Sequence, residues 1–265
     1  MAAHPDLRFD PAREERELRE YLGPRFELDR LWRYQEQIDE ELARVSDEAE
    51  LYRTSTAYLY NLTAFAMMET KHPYLRELIR HVDPGARLLD YGCGIGSDGL
   101  RLLEAGYRVE FAEFDNPSMA YLRWRLERRG LQAPIHDLSA TVPAGFDLAY
   151  AFDVIEHVND PFAFLDELEG RARLVEVNFL APVPDDQALH HELPIGALLR
   201  HVAHRRLLCY RLLHGRSHLV VYGSGGAARM PRPLSALRIA AGRLRYTGTA
   251  AEPQGRHVDR PARRT

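Results

Sequence analysis

The sequence predicts an α/β fold, a parallel sheet with helices on both faces, from three observations. Strand-like runs at 87–91, 107–113, 146–152 and 174–179 alternate with helical stretches such as 97–105 and 118–129, the order that strand–helix crossovers produce. The first strand runs straight into a glycine-rich turn and a helix, "LLDYGCGIGSDGLRLLEAG" at 88–106. The third observation is "RRLLCYRLLHGRSHLVVYG" at 205–223, where two β-rich runs flank His214-Gly215-Arg216 and read as an antiparallel hairpin closing the sheet edge.

Ahead of the sheet, residues 11–45 carry dense alternating charge with apolar residues at helical spacing (Leu28, Leu31, Trp32, Ile38, Leu42, Val45), which predicts amphipathic helices. Ser46-Asp47-Glu48 reads as a helix start, because short acceptors and acids suit the exposed amides there. The next stretch, "LYRTSTAYLYNLTAFAMMETKHP" at 51–73, reads as an aromatic- and methionine-rich helix ending at Pro73 and packed on something apolar. The chain divides into a helical lid or extension over 1–80, a ligand-binding domain over 81–223 and a tail over 224–265. The tail holds nine arginines against Glu252 and Asp259 and has little periodicity, so we expect it to be mostly disordered.

At 265 residues the chain can bury a full core. Its 45% hydrophobic and 28% charged residues and net charge of −4 lack the basic excess of nucleic-acid binders, so no nucleic-acid partner is expected. No apolar run approaches the roughly 18 residues that a membrane span needs. With a first thirty residues rich in Arg, Asp and Glu, this points to a cytoplasmic protein without a membrane partner. Cys93 and Cys209 are the only cysteines and lack metal-like spacing, which suits a reducing compartment. Lys71 is the single lysine, a compositional bias of an arginine-rich chain without chemical meaning of its own.

The glycines pose a choice of ligand. Gly94-Ile95-Gly96-Ser97-Asp98-Gly99 satisfies G-x-G-x-x-G, and Glu113 lies 19 residues beyond Gly94, about where a dinucleotide fold places its ribose-binding acid. Asp90 argues against a pyrophosphate, because two like charges about 4 Å apart cost on the order of 1 to 4 kcal/mol at effective dielectrics of 80 to 20. A cationic ligand turns the same geometry into attraction. S-adenosyl-L-methionine (SAM) carries an ammonium and a sulfonium, no phosphate, and a ribose whose hydroxyls an acid can accept from. The glycines let such a ligand lie against backbone where a Cβ would collide. Helix capping by Asp90 and an ordinary strand-end role for Glu113 are the plainer alternatives.

"LLDYGCGIG" resembles the first motif of class I SAM-dependent methyltransferases, with Asp90, Gly92, Gly94 and Gly96 on its fixed positions. "YRVEFAEFD" resembles the family's ribose-binding strand, which implies Glu113 at the ribose, with Asp115 the alternative, and Phe114 beside the adenine. "HDLSATVPAGFDLAYAFDVIEHVNDP" resembles the next two motifs, implying Asp137 and Leu138 at the adenine edge and Phe152 and Asp153 near the methionyl end. The "DVIEHVNDP" wording is similar to that of ubiquinone-biosynthesis O-methyltransferases. The resemblance covers about residues 80–223 and implies a Rossmann-like, doubly wound seven-stranded sheet with SAM as cofactor.

Glu156 and His157 are candidate catalytic residues, His157 as general base and Glu156 orienting it or holding a cation; a short helix carrying both for structural reasons is the rival reading. His190-His191-Glu192, preceded by Asp185 and Asp186, offers metal ligands alongside Glu156. Adjacent histidines diverge by about 100° on a helix and oppose each other on a strand, so no metal is expected. His190 or His191 lining a substrate pocket is favoured, since the loop after the fifth strand opens at the carboxyl edge of the sheet. Tyr58 and Asn61, with Tyr60, Phe65, Met67 and Met68, could wall the substrate or form a helical core stripe.

These readings lead to methyl transfer to an oxygen, with nitrogen second, of a small-molecule metabolite. Two alternatives keep SAM. One is an intramolecular cyclisation yielding methylthioadenosine, and the other a non-catalytic SAM-binding regulator whose tail docks on a partner.

Overall fold

The computed structural model describes residues 6–45, 48–181, 190–225, 234 and 236–240. Its centre is one seven-stranded sheet, built from β1 (Arg87–Tyr91), β2 (Arg108–Glu113), β3 (Ile135–Asp137), β4 (Phe146–Ala151), β5 (Ala172–Leu180), β6 (Arg206–Leu213) and β7 (Ser217–Gly223). The spatial order is β3-β2-β1-β4-β5-β7-β6. The first five strands run parallel, whereas β7 is antiparallel to both β5 and β6. The hairpin therefore does close one edge, with its second strand inserted beside β5 and its first outermost. β1 has β2 on one side and β4 on the other, so chain order reverses there and opens a crevice at the carboxyl ends of the strands.

Alternation along the strands feeds two cores. Leu88, Val109, Phe111, Leu148 and Tyr150 point to one face, under α6 (His72–Leu78), α7 (Ser97–Glu104) and α8 (Pro117–Arg129). Leu89, Ala149, Val175, Val177 and Phe179 point to the other, under α9 (Pro161–Arg171) and α10 (Ile195–Ala203). A fully buried leucine of this kind contributes about 1.5 to 3 kcal/mol. Near-continuous apolar runs such as "LVEV" in β5 follow from burial on both faces.

The amino-terminal residues form α1 (Pro11–Leu22), α2 (Leu28–Trp32), α3 (Tyr34–Leu42), α4 (Glu48–Thr54) and α5 (Ala57–Met67). Leu18, Leu31, Leu59 and Tyr60 share a small core with Ile95 of the glycine loop and Tyr121 of α8. Fully buried Arg125 of α8 adds polar ties: it meets Glu14 at 2.7 Å and Glu17 at 2.8 Å, both on α1, and donates to the Ile95 carbonyl at 2.9 Å. Burial would raise the Glu17 carboxyl, but the guanidiniums of Arg129 and Arg125 outweigh it and hold the group below its ordinary value. The extension is thus fastened to the loop that carries the site.

Several expectations are corrected. The helix expected over 51–73 is two: α4 ends at Thr54, and the Ser55 hydroxyl accepts from the Tyr58 N–H at 3.1 Å, restarting the chain as α5. Pro73 opens α6 and does not end a helix, because its missing N–H costs nothing in a first turn. Leu28 and Trp32, assigned to an apolar face, are 44% and 52% exposed. β3 is too short to register as a period. Ser46 and Asp47 of the proposed helix start lie outside the described residues, as do Asp185, Asp186 and most of the tail. Residues 236–240 are helical; the Arg238 guanidinium donates to the carbonyls of Leu207 and Leu208, and Ile239 packs on the core, so this part of the tail is ordered.

Candidate active site

β1 delivers Asp90 to the crevice. Its carboxylate is 5% exposed and Oδ2 has no hydrogen-bond partner. Burial, reinforced by Asp98, pushes this carboxyl up to about 8. The loop that follows is shaped by left-handed glycines. Gly94 has φ +54°, and a Cβ there would stand 2.9 Å from Leu62 of α5. Gly96 has φ +71° at the N-cap of α7, and a Cβ there would collide with Leu122. Gly92, φ +71°, donates its N–H to the Ala112 carbonyl at 2.9 Å, tying the loop to β2.

Glu113 ends β2 beneath this loop. Its Oε2 accepts from the Gly94 N–H at 2.8 Å and its Oε1 from the Phe114 N–H at 2.9 Å. Burial raises its carboxyl despite those two donors. Asp115, the alternative acid, stands on the surface beside Arg123 at 3.5 Å. Phe114 is 46% exposed, an aromatic face available to a stacking base. At the tip of β3 the Asp137 carboxylate accepts from the Ser139 N–H at 2.8 Å, and the Leu138 N–H donates to the Glu113 carbonyl at 3.1 Å.

The end of β4 is held differently. The Phe152 ring is buried against Tyr74 and Tyr150, leaving its backbone as the part nearest the crevice. Asp153 adopts a left-handed φ of +56°, a strained state for a residue with a side chain. Its surroundings compel it: the Asp153 N–H donates to Asn178 Oδ1 at 2.8 Å, and Asn178 Nδ2 donates to Asp153 Oδ1 at 2.7 Å. Lys71 adds a donor to the Phe152 carbonyl at 3.0 Å and lies 3.6 Å from Asp153. Burial would lower the Lys71 ammonium, but Asp153, Asp98 and Asp90 outweigh it and raise the group. Between α5 and the glycine loop, a shallow cleft open to solvent is lined by Lys71, Asp98, Ser97, Leu62 and Phe65.

Past Asp153, a 3-10 turn over Ile155–His157 presents Glu156 and His157. Glu156 is 1% exposed, and burial followed by the neighbouring Asp153 raises its carboxyl. The Tyr52 hydroxyl and His157 Nδ1 share a hydrogen bond of 2.8 Å. Tyr58 stands edge-on to Tyr52 at 5.2 Å, and the His190 ring stands edge-on to His157 at 4.9 Å. His191 is exposed, but its backbone N–H donates to the Glu156 carbonyl at 2.8 Å. Asn61 is buried on α5. Tyr60 is a core residue, its hydroxyl accepting from the Glu27 N–H at 3.0 Å; Met68 faces solvent.

Sequence reasoning missed Lys71, Asn178 and Tyr52. Lys71 carried one signal, its uniqueness, which composition alone gave no reason to read as chemistry.

The residues present fit SAM: a buried carboxyl with one oxygen unpartnered lies at a loop of left-handed glycines packed too closely for a Cβ, and an acid and an exposed aromatic ring follow in order along the crevice. Residues 89–173 match the family described as a methyltransferase domain. Over 87 residues the chain is 34% identical to a ubiquinone biosynthesis O-methyltransferase of Xylella fastidiosa, covering 31% of this chain and 35% of that one. It is 30% identical to a protein of the same name from Xanthomonas campestris, covering 31% and 36%. The match thus spans about a third of the length of these relatives. The structure of the pyocyanin biosynthetic protein PhzM superposes with a TM-score of 0.51 at 16% identity, covering 78% of this chain and 72% of that one, a likeness of fold. No described helix is long and apolar enough to cross a membrane. Residues 89–173 are thus similar to a methyltransferase domain, and the seven-stranded sheet around them shares its fold with a solved structure at a TM-score of 0.51.

Proposed function

We propose that the chain transfers a methyl group from SAM to an oxygen, with nitrogen second, of a small-molecule metabolite. The observation that carries this is the buried carboxyl of Asp90 at the glycine loop, whose Oδ2 has no hydrogen-bond partner and suits a positively charged guest without phosphate. Asp90 faces the ammonium end, Glu113 accepts from the ribose hydroxyls, Phe114 and Leu138 bracket the adenine with Asp137 at its edge, and Gly92, Gly94 and Gly96 give backbone contact. Asp153, fixed by Asn178 and Lys71, marks the methionyl end. Bound SAM supplies a methyl carbon on a sulfonium.

The chain's task is alignment. Holding acceptor oxygen, methyl carbon and sulfur in line and excluding water supplies several kcal/mol of barrier lowering. His157 would take up the proton that the acceptor hydroxyl gives up on methylation, with Glu156 beside it. The Tyr52 contact at Nδ1 sets the ring's orientation. Tyr58, Asn61 and the His190–His191 segment bound the acceptor's space, and α1–α5 form its lid.

The approach of Leu62 to Gly94 favours a second reading, in which α5 closes on the site so far that SAM reacts within itself. Incubation with SAM and a metabolite panel separates the two by mass spectrometry. S-adenosylhomocysteine with a methylated acceptor supports transfer; methylthioadenosine without an acceptor overturns it.

A further inference from the structure

Beside the cofactor crevice the fold assembles a second group of donors. One carboxylate oxygen of Glu156 and one ring nitrogen from each of His157 and His190 lie within 4.8 Å of one another. The grouping is braced from three sides. The His191 N–H on the Glu156 carbonyl pins the chain after β5 to the turn after β4, Tyr52 holds His157 Nδ1 at 2.8 Å, and the two histidine rings meet edge to face. The Glu156 carboxylate is 99% buried, and neither of its oxygens has a hydrogen-bond partner. A buried carboxylate without donors is costly unless a cation completes it. Lys71, whose charge acts on Glu156, is already engaged by Phe152 and Asp153.

We propose that Glu156, His157 and His190 bind a divalent transition-metal ion of the zinc class. Two imidazoles and a carboxylate form a donor set that suits zinc or cobalt and leaves positions open for water or a substrate oxygen. Magnesium and calcium prefer oxygen ligands throughout. The sequence argued against a metal because His190 and His191 diverge, but the structure supplies His157 as the second imidazole. Among the described residues two other groups have comparable spacing, Glu77–His81–Cys209 and Asp166–Glu169–His201. Their central carboxylates are already taken: Glu77 by Arg80 at 2.8 Å and Glu169 by Arg205 at 2.8 Å. The role of the ion rests on the methyl-transfer reading: an open position would receive the acceptor hydroxyl, which loses its proton to water, and His157 would serve as ligand instead of base. The binding site itself does not depend on that reading.

The test uses the full untagged chain, stripped with a chelator and titrated with Co²⁺ and then Zn²⁺, with SAM binding measured in parallel by calorimetry. We expect one equivalent of Co²⁺, seen as a visible absorption band that Zn²⁺ abolishes. His190→Ala and Glu156→Gln should each weaken metal binding at least about tenfold and leave SAM binding unchanged, while His201→Ala changes neither. No stoichiometric band, a band that persists in both variants, or a band lost with His201→Ala overturns the proposal. A metal band without SAM binding supports this site and overturns the cofactor reading.

Discussion

The backbone N–H of Gly94 donates to Oε2 of Glu113 at 2.8 Å, so the loop after β1 is closed onto the tip of β2 by the residue proposed to meet the ribose. One carboxylate shapes the glycine loop, and under the proposed function its remaining lone pairs accept from the ribose. Glu113→Ala is therefore expected to lose loop order and ligand contact together, weakening SAM binding by about 1 to 3 kcal/mol. Calorimetric Kd values decide this, and an unchanged Kd would reduce Glu113 to an ordinary strand-end acid.

Asp90 couples binding and stability to pH. Its carboxyl is raised from 3.8 to about 8 by burial. Between those values the unfolded chain has released a proton that the folded chain keeps, so this group's contribution to stability falls as pH rises, by at most about 1.4 kcal/mol per pH unit. Asp90→Asn should flatten that slope and raise the melting temperature at pH 8. SAM affinity of the wild type should climb from pH 6.5 to 8.5 as the anion forms, with proton release on binding, and the variant should lose both affinity and pH dependence. A variant that binds SAM as tightly as the wild type would contradict this role.

Arg125 sits between Glu14 and Glu17 with no exposure. Removing it strips Glu14 and Glu17 of one of the two buried guanidiniums that offset them, Arg129 being the other, so Arg125→Ala should cost about 3 kcal/mol in chemical denaturation. Because Arg125 also holds the Ile95 carbonyl, SAM binding should weaken in the fraction that still folds. A loss below about 1 kcal/mol would show the network to be solvated like a surface pair.

His157→Ala should reduce turnover by about 10² to 10⁴ while leaving SAM affinity intact. Tyr52→Phe, which removes only the partner of Nδ1, should give a smaller loss and move the pH profile of kcat. Equal turnover in wild type and His157→Ala would take this side chain out of the reaction.

What could be read from the sequence was local. The bounds of β1, the glycine turn and the start of α7 follow from spacing within twenty residues, and the structure places them where that spacing puts them. The break at Ser55 was hidden because a hydroxyl capping an internal turn leaves no mark on apolar periodicity. The most telling contacts are remote: Tyr52 meets His157 across 105 residues, and Lys71 reaches Phe152 across 81. No local pattern encodes such meetings. Trp32 shows the converse, an apolar residue in perfect helical phase that the packing leaves exposed.

The most direct measurement is a calorimetric titration of the full chain with SAM, S-adenosylhomocysteine and NAD under one set of conditions. A buried carboxyl that ionises for a cationic guest beside the glycine loop predicts saturable heat from the two adenosyl sulfur compounds and none from NAD. Saturable binding of the pyrophosphate coenzyme, with silence from SAM, would contradict it.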